Sequence, residues 1–321
     1  MSSGIRRREF LASTAALGVG LAVMGRGEAR AEEAKGGKAV VVKVVRDDAV
    51  ADKKINADVA KKMVHAAVCK LAGKEKPEEA WAVYVKKDDV VAIKINCLFG
   101  IGACTHPEVT AAVVEGCQMA GVPADKIIVW DRSGGDLKKC GYTLNKDAGV
   151  KVIGVDGAWE EEATPFHTCR GKLAKILTKE CTALINVPIL KSHAISGMTQ
   201  ALKNHNGSFA NPSDAHGDSC GPFLAELNAL DPIRKKTRLI VSDALRPVAD
   251  GGPQASPQWT WDLKAILAST DPVAIDAVGL SILQAQRETL KKPPLKVNCI
   301  ELAAKKGIGV ADLAQIDVVT A

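Results

Sequence analysis

One stretch of the chain concentrates side chains that can move protons or bind anions. It runs from 186 to 212, reads NVPILKSHAISGMTQALKNHNGSFANP, and contains Lys191, His193, Lys203 and His205. Its first residues are apolar, so the stretch begins as a buried strand and the titratable groups follow at the strand's carboxyl end. Burial or a neighbouring charge tunes lysine and histidine toward neutral pH.

Lys203 alone has a simpler explanation. It lies in the last turn of a short helix predicted over MTQALKNHNG, where a cation stabilises the helix dipole. The four titratable groups together favour a site for an anionic ligand or for proton transfer. We therefore predict Lys191, His193 and Lys203 as catalytic residues.

The surrounding pattern predicts the elements that must position this stretch. Apolar, β-branched segments alternate with helical patterns, which is typical of a parallel sheet with helices on both faces. We predict an α/β fold with a doubly wound, mostly parallel sheet and two packed lobes, divided near 157–181. The predicted strands are 39–45, 89–97, 126–131, 150–156, 182–190, 238–245, 264–268 and 315–319, and the main helices are 56–73, 105–122, 271–290 and 298–306.

Ligands of open α/β sheets bind at the carboxyl ends of the strands. Polar loops follow several predicted strands, and their clustering at one edge favours a binding site. Asp271, which follows the strand 264–268, is instead expected to cap the next helix before Pro272. The predicted ligand-binding residues are Asn96, His106, Asp131, Arg132, Asn204 and Asp243.

The histidines and cysteines of the chain include possible ligands for a metal or a redox cofactor. His193 and His205 are the candidate metal ligands. The tight cysteine run of a ferredoxin-type iron–sulfur cluster is absent from the sequence. The nine cysteines are an odd number, and Cys97 and Cys104 flank a Gly-rich loop where they can form a disulfide after export.

The first residues resemble an export signal. RREFL at 7–11 matches the twin-arginine pattern, and a small-x-small cleavage site ends at Ala31. The apolar run 12–24 is shorter than the roughly 20 residues that a membrane span needs. We predict a periplasmic protein, with the twin-arginine translocase as a partner and no membrane span after cleavage. The predicted segments are a signal peptide 1–31, a linker 32–38 and an α/β domain 39–321.

The net charge argues against nucleic acid as a partner. The formal charge is +6, and the predicted signal carries five arginines against two glutamates, a net +3. Removal of the signal leaves +6 minus +3, or +3. This basic excess is too small to indicate nucleic-acid binding.

Several motifs together resemble the DUF362 family, which is named for its unknown function. The resemblance extends from about residue 39 to the C-terminus. Some members carry a fused ferredoxin-like cluster domain, which implies redox work, and this chain lacks that domain. The motifs, in order, are DVVAIKIN, THPEV, KIIVWDRS, NVPILKSHAISGMTQALKN, IVSDALRP, GGP and STDPVAID.

A fainter resemblance is to the nickel-pincer lactate racemase family, in which a histidine precedes a lysine by ten residues across a Gly/Ser turn. His193 and Lys203 have that spacing. The resemblance implies Lys203 as the tether of the pincer cofactor or as a ligand contact, and His193 as a metal ligand or proton-transfer base. Asp131 and Arg132 fall where that family has a His-Arg pair.

Two functions follow from these observations. The first is an exported enzyme, oxidoreductase- or racemase-like and associated with a metal or redox cofactor, with an anionic-ligand site at the strand ends. The second is a periplasmic module that binds a small molecule or anion without catalysis. Fold class alone does not choose between them.

Overall fold

The structure is a computed structural model that describes residues 38–321. The predicted signal peptide and residues 32–37 of the predicted linker lie outside the described residues. Gly36–Ala321 form one compact unit. None of the helices within 38–321 is long and apolar enough to cross a membrane.

The elements alternate along the chain much as the sequence pattern predicts. The strands are β1 (Ala39–Val45), β2 (Val50–Ala51), β3 (Lys54–Ile55), β4 (Val91–Ile95), β5 (Ile127–Asp131), β6 (Lys151–Gly154), β7 (Thr164–Pro165), β8 (Arg170–Gly171), β9 (Ala183–Val187), β10 (Ile189–His193), β11 (Gly197–Thr199), β12 (Thr237–Val248), β13 (Ala265–Ser269) and β14 (Ile316–Thr320). The helices are α1 (Ala57–Ala72), α2 (Pro77–Tyr84), α3 (Pro107–Met119), α4 (Gly134–Lys139), α5 (Ala201–Asn204), α6 (Gly221–Ala229), α7 (Asp231–Arg234), α8 (Pro272–Thr289) and α9 (Cys299–Lys305).

A ten-stranded sheet forms the centre of the molecule. Its main order is β14-β1-β13-β12-β9-β4-β5-β6, and β10 joins the sheet beside β12 with β11 paired to it. The pairs are parallel except those made by β13 with β1 and β12, and by β11 with β10. The predicted α/β class with a mostly parallel sheet is therefore confirmed.

Helices cover both faces of this sheet, which explains why its central strands are almost continuously apolar. Successive side chains of β5 point to opposite faces. Ile128 and Trp130 join the core that contains residues of α6, α8 and α9, while Ile127 and Val129 join the core beneath α1 and α3.

The lobe boundary predicted near 157–181 does not divide this unit. The segment connects β6 to β9, and both strands belong to the same sheet. Leu173, Ile176 and Leu177 from this segment are buried in one of the two cores. Their apolar side chains hold the irregular segment against the sheet.

Proline and strand pairing change two predicted elements near the site. The predicted strand 182–190 is interrupted at Pro188, which has no backbone N–H for a ladder hydrogen bond, and β10 begins beyond it. The helix predicted over MTQALKNHNG shortens to α5. Its first residues instead form β11, where Gly197 pairs with His193 and Thr199 with Lys191.

One strand runs against the predicted direction. β13 is antiparallel to both of its neighbours, so its carboxyl end lies at the edge of the sheet opposite to the carboxyl ends of β4, β5 and β9. The loop after β13 therefore does not contribute to the predicted edge. Asp271 instead caps α8, as expected, by accepting hydrogen bonds from the backbone N–H groups of Val273 and Ala274.

Candidate functional site

A small cavity lies where β4, β5 and β10 end. Its volume is about 50 Å³, far below the roughly 300–1,000 Å³ of pockets that enclose drug-sized ligands. The enclosed part therefore fits a few ligand atoms. Its lining is Lys94, Asn96, Leu98, Asp131, Arg132, Asp136, Lys191, His193, Thr199, Lys203, Asn204, Asn206, Gly207, Pro212 and Pro253.

The structure thus brings together seven of the residues predicted from the sequence. All three predicted catalytic residues line the cavity. So do four of the six predicted ligand-binding residues. The seven are Asn96, Asp131, Arg132, Lys191, His193, Lys203 and Asn204.

The floor of the cavity is a buried ion pair. The Lys94 ammonium, which is fully buried, lies 2.7 Å from Oδ1 of Asp131 and 2.6 Å from the carbonyl oxygen of Ile95. It also lies 5.4 Å from the ring centroid of Trp130. Oδ2 of Asp131 accepts a hydrogen bond from the backbone N–H of Cys97 at 2.6 Å. Asp131 therefore holds the ends of β4 and β5 together.

Lys94 is a site residue that the sequence reasoning missed. Its sequence signal is a lysine inside the apolar strand segment VAIKI. A charged side chain in a fully buried strand is almost always paired, and the partner here is Asp131 on the adjacent strand. A search for charged residues inside predicted buried strands would have found it.

Two asparagines connect this ion pair to the rest of the cavity. Nδ2 of Asn204 donates to the carbonyl oxygen of Lys94 at 3.1 Å and to Oδ1 of Asn186 at 2.7 Å. Oδ1 of Asn204 accepts from Nδ2 of Asn96 at 3.2 Å. These bonds fix the orientation of both amides, because each amide has one donor side and one acceptor side.

Lys191 crosses from β10 toward the loop after β4. Its ammonium donates to Oδ1 of Asn96 at 3.1 Å, and to the carbonyl oxygens of Ala103 at 2.6 Å and Leu98 at 3.4 Å. All three acceptors are uncharged. Burial lowers the pKa of Lys191 to about 8. Lys191 therefore changes charge close to neutral pH.

The backbone fixes the tautomer of His193. Nδ1 of His193 accepts hydrogen bonds from the backbone N–H groups of Ile195 at 3.1 Å and Ser196 at 3.2 Å. A backbone N–H can only donate, so Nδ1 carries no proton and the proton of the neutral ring is on Nε2. Burial, with Lys203 nearby, lowers the pKa of His193 to about 3. At neutral pH the ring is a neutral N–H donor.

Lys203 is buried on the short helix α5. The start of α5 is held by Asp276, whose carboxylate accepts from the backbone N–H groups of Ala201 at 2.7 Å and Leu202 at 3.1 Å. The ammonium of Lys203 is in hydrogen-bond contact with the thiol of Cys220. Burial lowers the pKa of Lys203, which brings the neutral amine within reach of a proton-transfer role.

Positive charge exceeds negative charge around the cavity. In the part of the chain that the structure describes, Lys191, Lys203 and Arg132 form no ion pair with a carboxylate. The remaining carboxylate of the lining is Asp136, which lies 3.8 Å from exposed Lys139. Buried charges are usually paired. A bound anion would supply the partner that these cations lack.

His106 and Asp243 lie outside the cavity, contrary to the prediction. Oδ2 of Asp243 accepts from the backbone N–H of His106 at 2.8 Å and lies 2.7 Å from its Nδ1. Burial opposes protonation of His106, but Asp243 outweighs it and raises the pKa. Asp243 lies inside β12, which continues to Val248. The pair fastens the start of α3 to β12.

Of the two candidate metal ligands, His193 lines the cavity and His205 does not. Nε2 of His205 lies 3.3 Å from Nδ2 of Asn186, which can only donate, and its Nδ1 lies 3.3 Å from Oγ of Ser208. Both ring nitrogens are therefore bonded within the chain. Across residues 38–321, no group of three histidine, cysteine or acidic side chains is arranged to hold a metal ion.

Comparison with known sequences decides the family. The family described as "Domain of unknown function (DUF362)" matches residues 91–281. The chain belongs to the DUF362 family. The match contains β4, β5, β9, β10 and α5, so every strand and helix that builds the cavity lies within it. No curated protein sequence matches the DUF362 chain.

Two solved structures are similar to this DUF362 protein. One is a protein from Thermotoga maritima, with a TM-score of 0.41 and 11% identity over 78% of this chain and 59% of that chain. The other is the lactate racemase apoprotein from Thermoanaerobacterium thermosaccharolyticum, with a TM-score of 0.37 and 10% identity over 75% of this chain and 56% of that chain. The chain thus spans less than two thirds of either structure.

The cavity does not fit the nickel-pincer cofactor that the sequence resemblance implies. A metal-bound histidine normally donates its second N–H to an acceptor, whereas His193 receives two N–H groups at Nδ1. Asp131 is engaged with Lys94 and with the backbone of Cys97.

We expect Asp131→Asn to destabilise the protein strongly. The substitution leaves the Lys94 ammonium buried beside a neutral amide, and removing one partner of a buried ion pair costs about 3–5 kcal/mol. Urea unfolding followed by circular dichroism measures the loss. The double variant Lys94→Met/Asp131→Asn should lose less than the two single variants added together. Additive losses would contradict the pairing.

Proposed function

We propose that this DUF362 protein is an enzyme that binds a small carboxylate in the cavity and moves a proton on the carbon next to it. The observation that carries the proposal is the presence of two buried lysines without carboxylate partners, Lys191 and Lys203, beside a histidine held as an N–H donor. Three groups would bind the anion: Lys191, the Nε2–H of His193 and the guanidinium of Arg132.

The same N–H donors would also stabilise the transition state of proton removal. Proton removal beside a carboxylate places a second negative charge on its oxygens. Fixed N–H donors in a water-poor site stabilise such developing charge without having to reorganise. A neutral His193 suits this role because its Nδ1 is engaged by the backbone and cannot accept a proton from the substrate.

Lys203 is the proposed base. A lysine can accept a proton at neutral pH only when its pKa is lowered, and burial lowers the pKa of Lys203. The buried contact of Asp276 with the start of α5 fixes the helix that carries the amine. A racemase-like reaction, in which a proton leaves and returns, is the simplest use of this arrangement.

The proposed function includes export of the protein from the cytoplasm. We propose that the twin-arginine translocase carries the chain to the periplasm and that the signal is cleaved after Ala31, on the basis of the RREFL motif at 7–11. An N-terminal sequence starting at Glu32 in protein recovered outside the cytoplasm would support this. Retention of the uncleaved chain in the cytoplasm would overturn it.

Small anions should stabilise the protein, and the effect should weaken at high pH. We expect acetate, lactate, pyruvate or malonate to raise the melting temperature, because a ligand that binds only the folded state stabilises it. The ammonium of Lys191 is present below its pKa of about 8 and lost above it. The apparent affinity should therefore fall by up to about tenfold per pH unit above that value. Differential scanning fluorimetry at a series of pH values measures this.

Two lysine variants provide the comparison. Lys191→Met should reduce affinity by roughly tenfold or more, since a hydrogen bond to a charged group contributes about 1.5–3 kcal/mol, and should remove the dependence on pH near 8. Lys305→Met, which changes an exposed lysine of α9, should behave as wild type. Equal anion affinity in all three proteins would contradict the assigned site.

The proposed reaction should exchange a carbon-bound proton. In D₂O the protein should introduce deuterium beside the carboxylate of whichever 2-hydroxy or 2-amino acid it binds, as followed by ¹H NMR. Lys203→Met should slow the exchange by about 10²–10⁴-fold, the usual contribution of a general base. The variant should retain the wild-type circular dichroism spectrum.

The same experiment distinguishes the second candidate function, a binding module without catalysis. The cation-rich lining favours anion binding whether or not a reaction follows. Wild-type protein that is stabilised by an acid but does not exchange its protons over days would support binding alone and would contradict the enzyme proposal. Exchange that persists unchanged in Lys203→Met would remove Lys203 from the mechanism.

A further inference from the structure

Three buried thiols meet behind one wall of the cavity. Cys97 follows β4, Cys104 closes the loop that begins there, and Cys140 follows the last residue of α4. Sγ of Cys140 donates to the carbonyl oxygen of Cys97 at 3.1 Å, and the Cys140 thiol interacts closely enough with the thiols of Cys97 and Cys104 to shift the pKa of each. The residues are at most 4% exposed. All three are free thiols in this structure.

Cys97 and Cys104 flank the loop that binds the ammonium of Lys191. The loop runs over 98–103, and two of its carbonyl oxygens, those of Leu98 and Ala103, accept hydrogen bonds from the Lys191 ammonium. Gly100 and Gly102 both have positive φ angles, 78° and 87°, which let this short loop turn back on itself. The thiols therefore lie against the part of the cavity wall that positions Lys191.

Both Cys97 and Cys104 interact with Cys140. The sequence suggested a pair between Cys97 and Cys104, which flank the loop, but the structure places Cys140 in contact with both. Cys97 is held on both sides of its backbone, since its N–H donates to Asp131 and its carbonyl oxygen accepts from Gly100. Within the described residues no backbone hydrogen bond is formed by Cys104. Cys104 is thus freer to approach Cys140.

We propose that Cys104 and Cys140 form a reversible disulfide that ties the 98–103 loop to the end of α4, and that Cys97 remains a thiol. The proposal does not depend on the function proposed above. In the disulfide form the loop that holds Lys191 is anchored covalently. In the dithiol form only hydrogen bonds and packing anchor it.

The exchange balances with a small-molecule disulfide as the oxidant. The thiolate of Cys140 attacks one sulfur of the small disulfide, forms a mixed disulfide and releases one small thiol. The thiolate of Cys104 then attacks Sγ of Cys140 and releases the second small thiol. Two protein thiols become one disulfide, one small disulfide becomes two thiols, and the two protein protons end on those thiols.

Burial limits the rate of this exchange. Burial raises the pKa of the Cys97 thiol, and the hydrogen bond to Cys140 together with burial raises the pKa of Cys104. Few thiolates exist at neutral pH, and the sulfurs are shielded until the 98–103 loop opens. Exchange in the folded protein should therefore be slow at pH 7 and faster at pH 9.

Thiol counting tests the proposal. Folded full-length chain is incubated with excess oxidised glutathione at pH 9, quenched with acid, unfolded and alkylated with iodoacetamide. The chain has nine cysteines, so in the expected intact mass seven of them carry either an alkyl group or a glutathione, nine minus the two in the disulfide. Peptide mapping should find Cys104 linked to Cys140. Dithiothreitol should restore nine alkyl groups.

Three variants serve as controls for the thiol count. Cys140→Ser and Cys104→Ser should each show eight cysteines that carry an alkyl group or a glutathione, and no internal disulfide. Cys117→Ser, which changes a buried thiol on α3 outside the group, should still lose two free thiols on oxidation. The oxidised wild type should melt several degrees above its reduced form. Nine alkyl groups after oxidation, a stable glutathione adduct on Cys140, or a disulfide between Cys97 and Cys140 would each overturn the proposal.

Discussion

The ion pair between Lys94 and Asp131 supports the strand ends on which the cavity is built. Lys94 lies on β4 and Asp131 on β5, and the two side chains meet fully inside the protein. Asp131 also holds the turn after β4 through the backbone of Cys97, while Lys94 contacts Asn204 of α5. Because Asp131 is paired with Lys94, it forms no ion pair with Lys191 or Lys203, and neither lysine pairs with another carboxylate among the described residues.

Burial of positive charge without acid partners gives the site its chemistry. Desolvation lowers the pKa of both Lys191 and Lys203, and the pKa of Lys191 falls to about 8, so the Lys191 amine can change charge near the pH at which proteins work. The backbone N–H groups of Ile195 and Ser196 fix His193 as an N–H donor. A small cavity with donors of this kind suits the head group of an anion.

Much of this arrangement could be predicted from the sequence, because strand ends are readable and their carboxyl ends meet at one edge. The β4, β5 and β10 ends did meet, and their polar residues form the cavity. Strand direction was not readable, since the apolar pattern of β13 is the same in either direction, so the sequence does not show that the loop after β13 lies at the opposite edge. His205 and Asp243 were misplaced because sequence spacing does not show which polar side chains already have partners inside the fold. Lys94 was not predicted as a site residue because its acid partner, Asp131, is distant in sequence.

The tautomer of His193 tests the central claim most directly, because the anion site requires a neutral N–H donor at this position. Long-range ¹H–¹⁵N correlation spectra of ¹⁵N-histidine-labelled protein separate the two neutral tautomers and the imidazolium. We predict a neutral ring protonated on Nε2 from pH 8 down to about pH 5, since burial and Lys203 hold the pKa of His193 to about 3. A ring protonated on Nδ1, or an imidazolium near pH 7, would contradict the account.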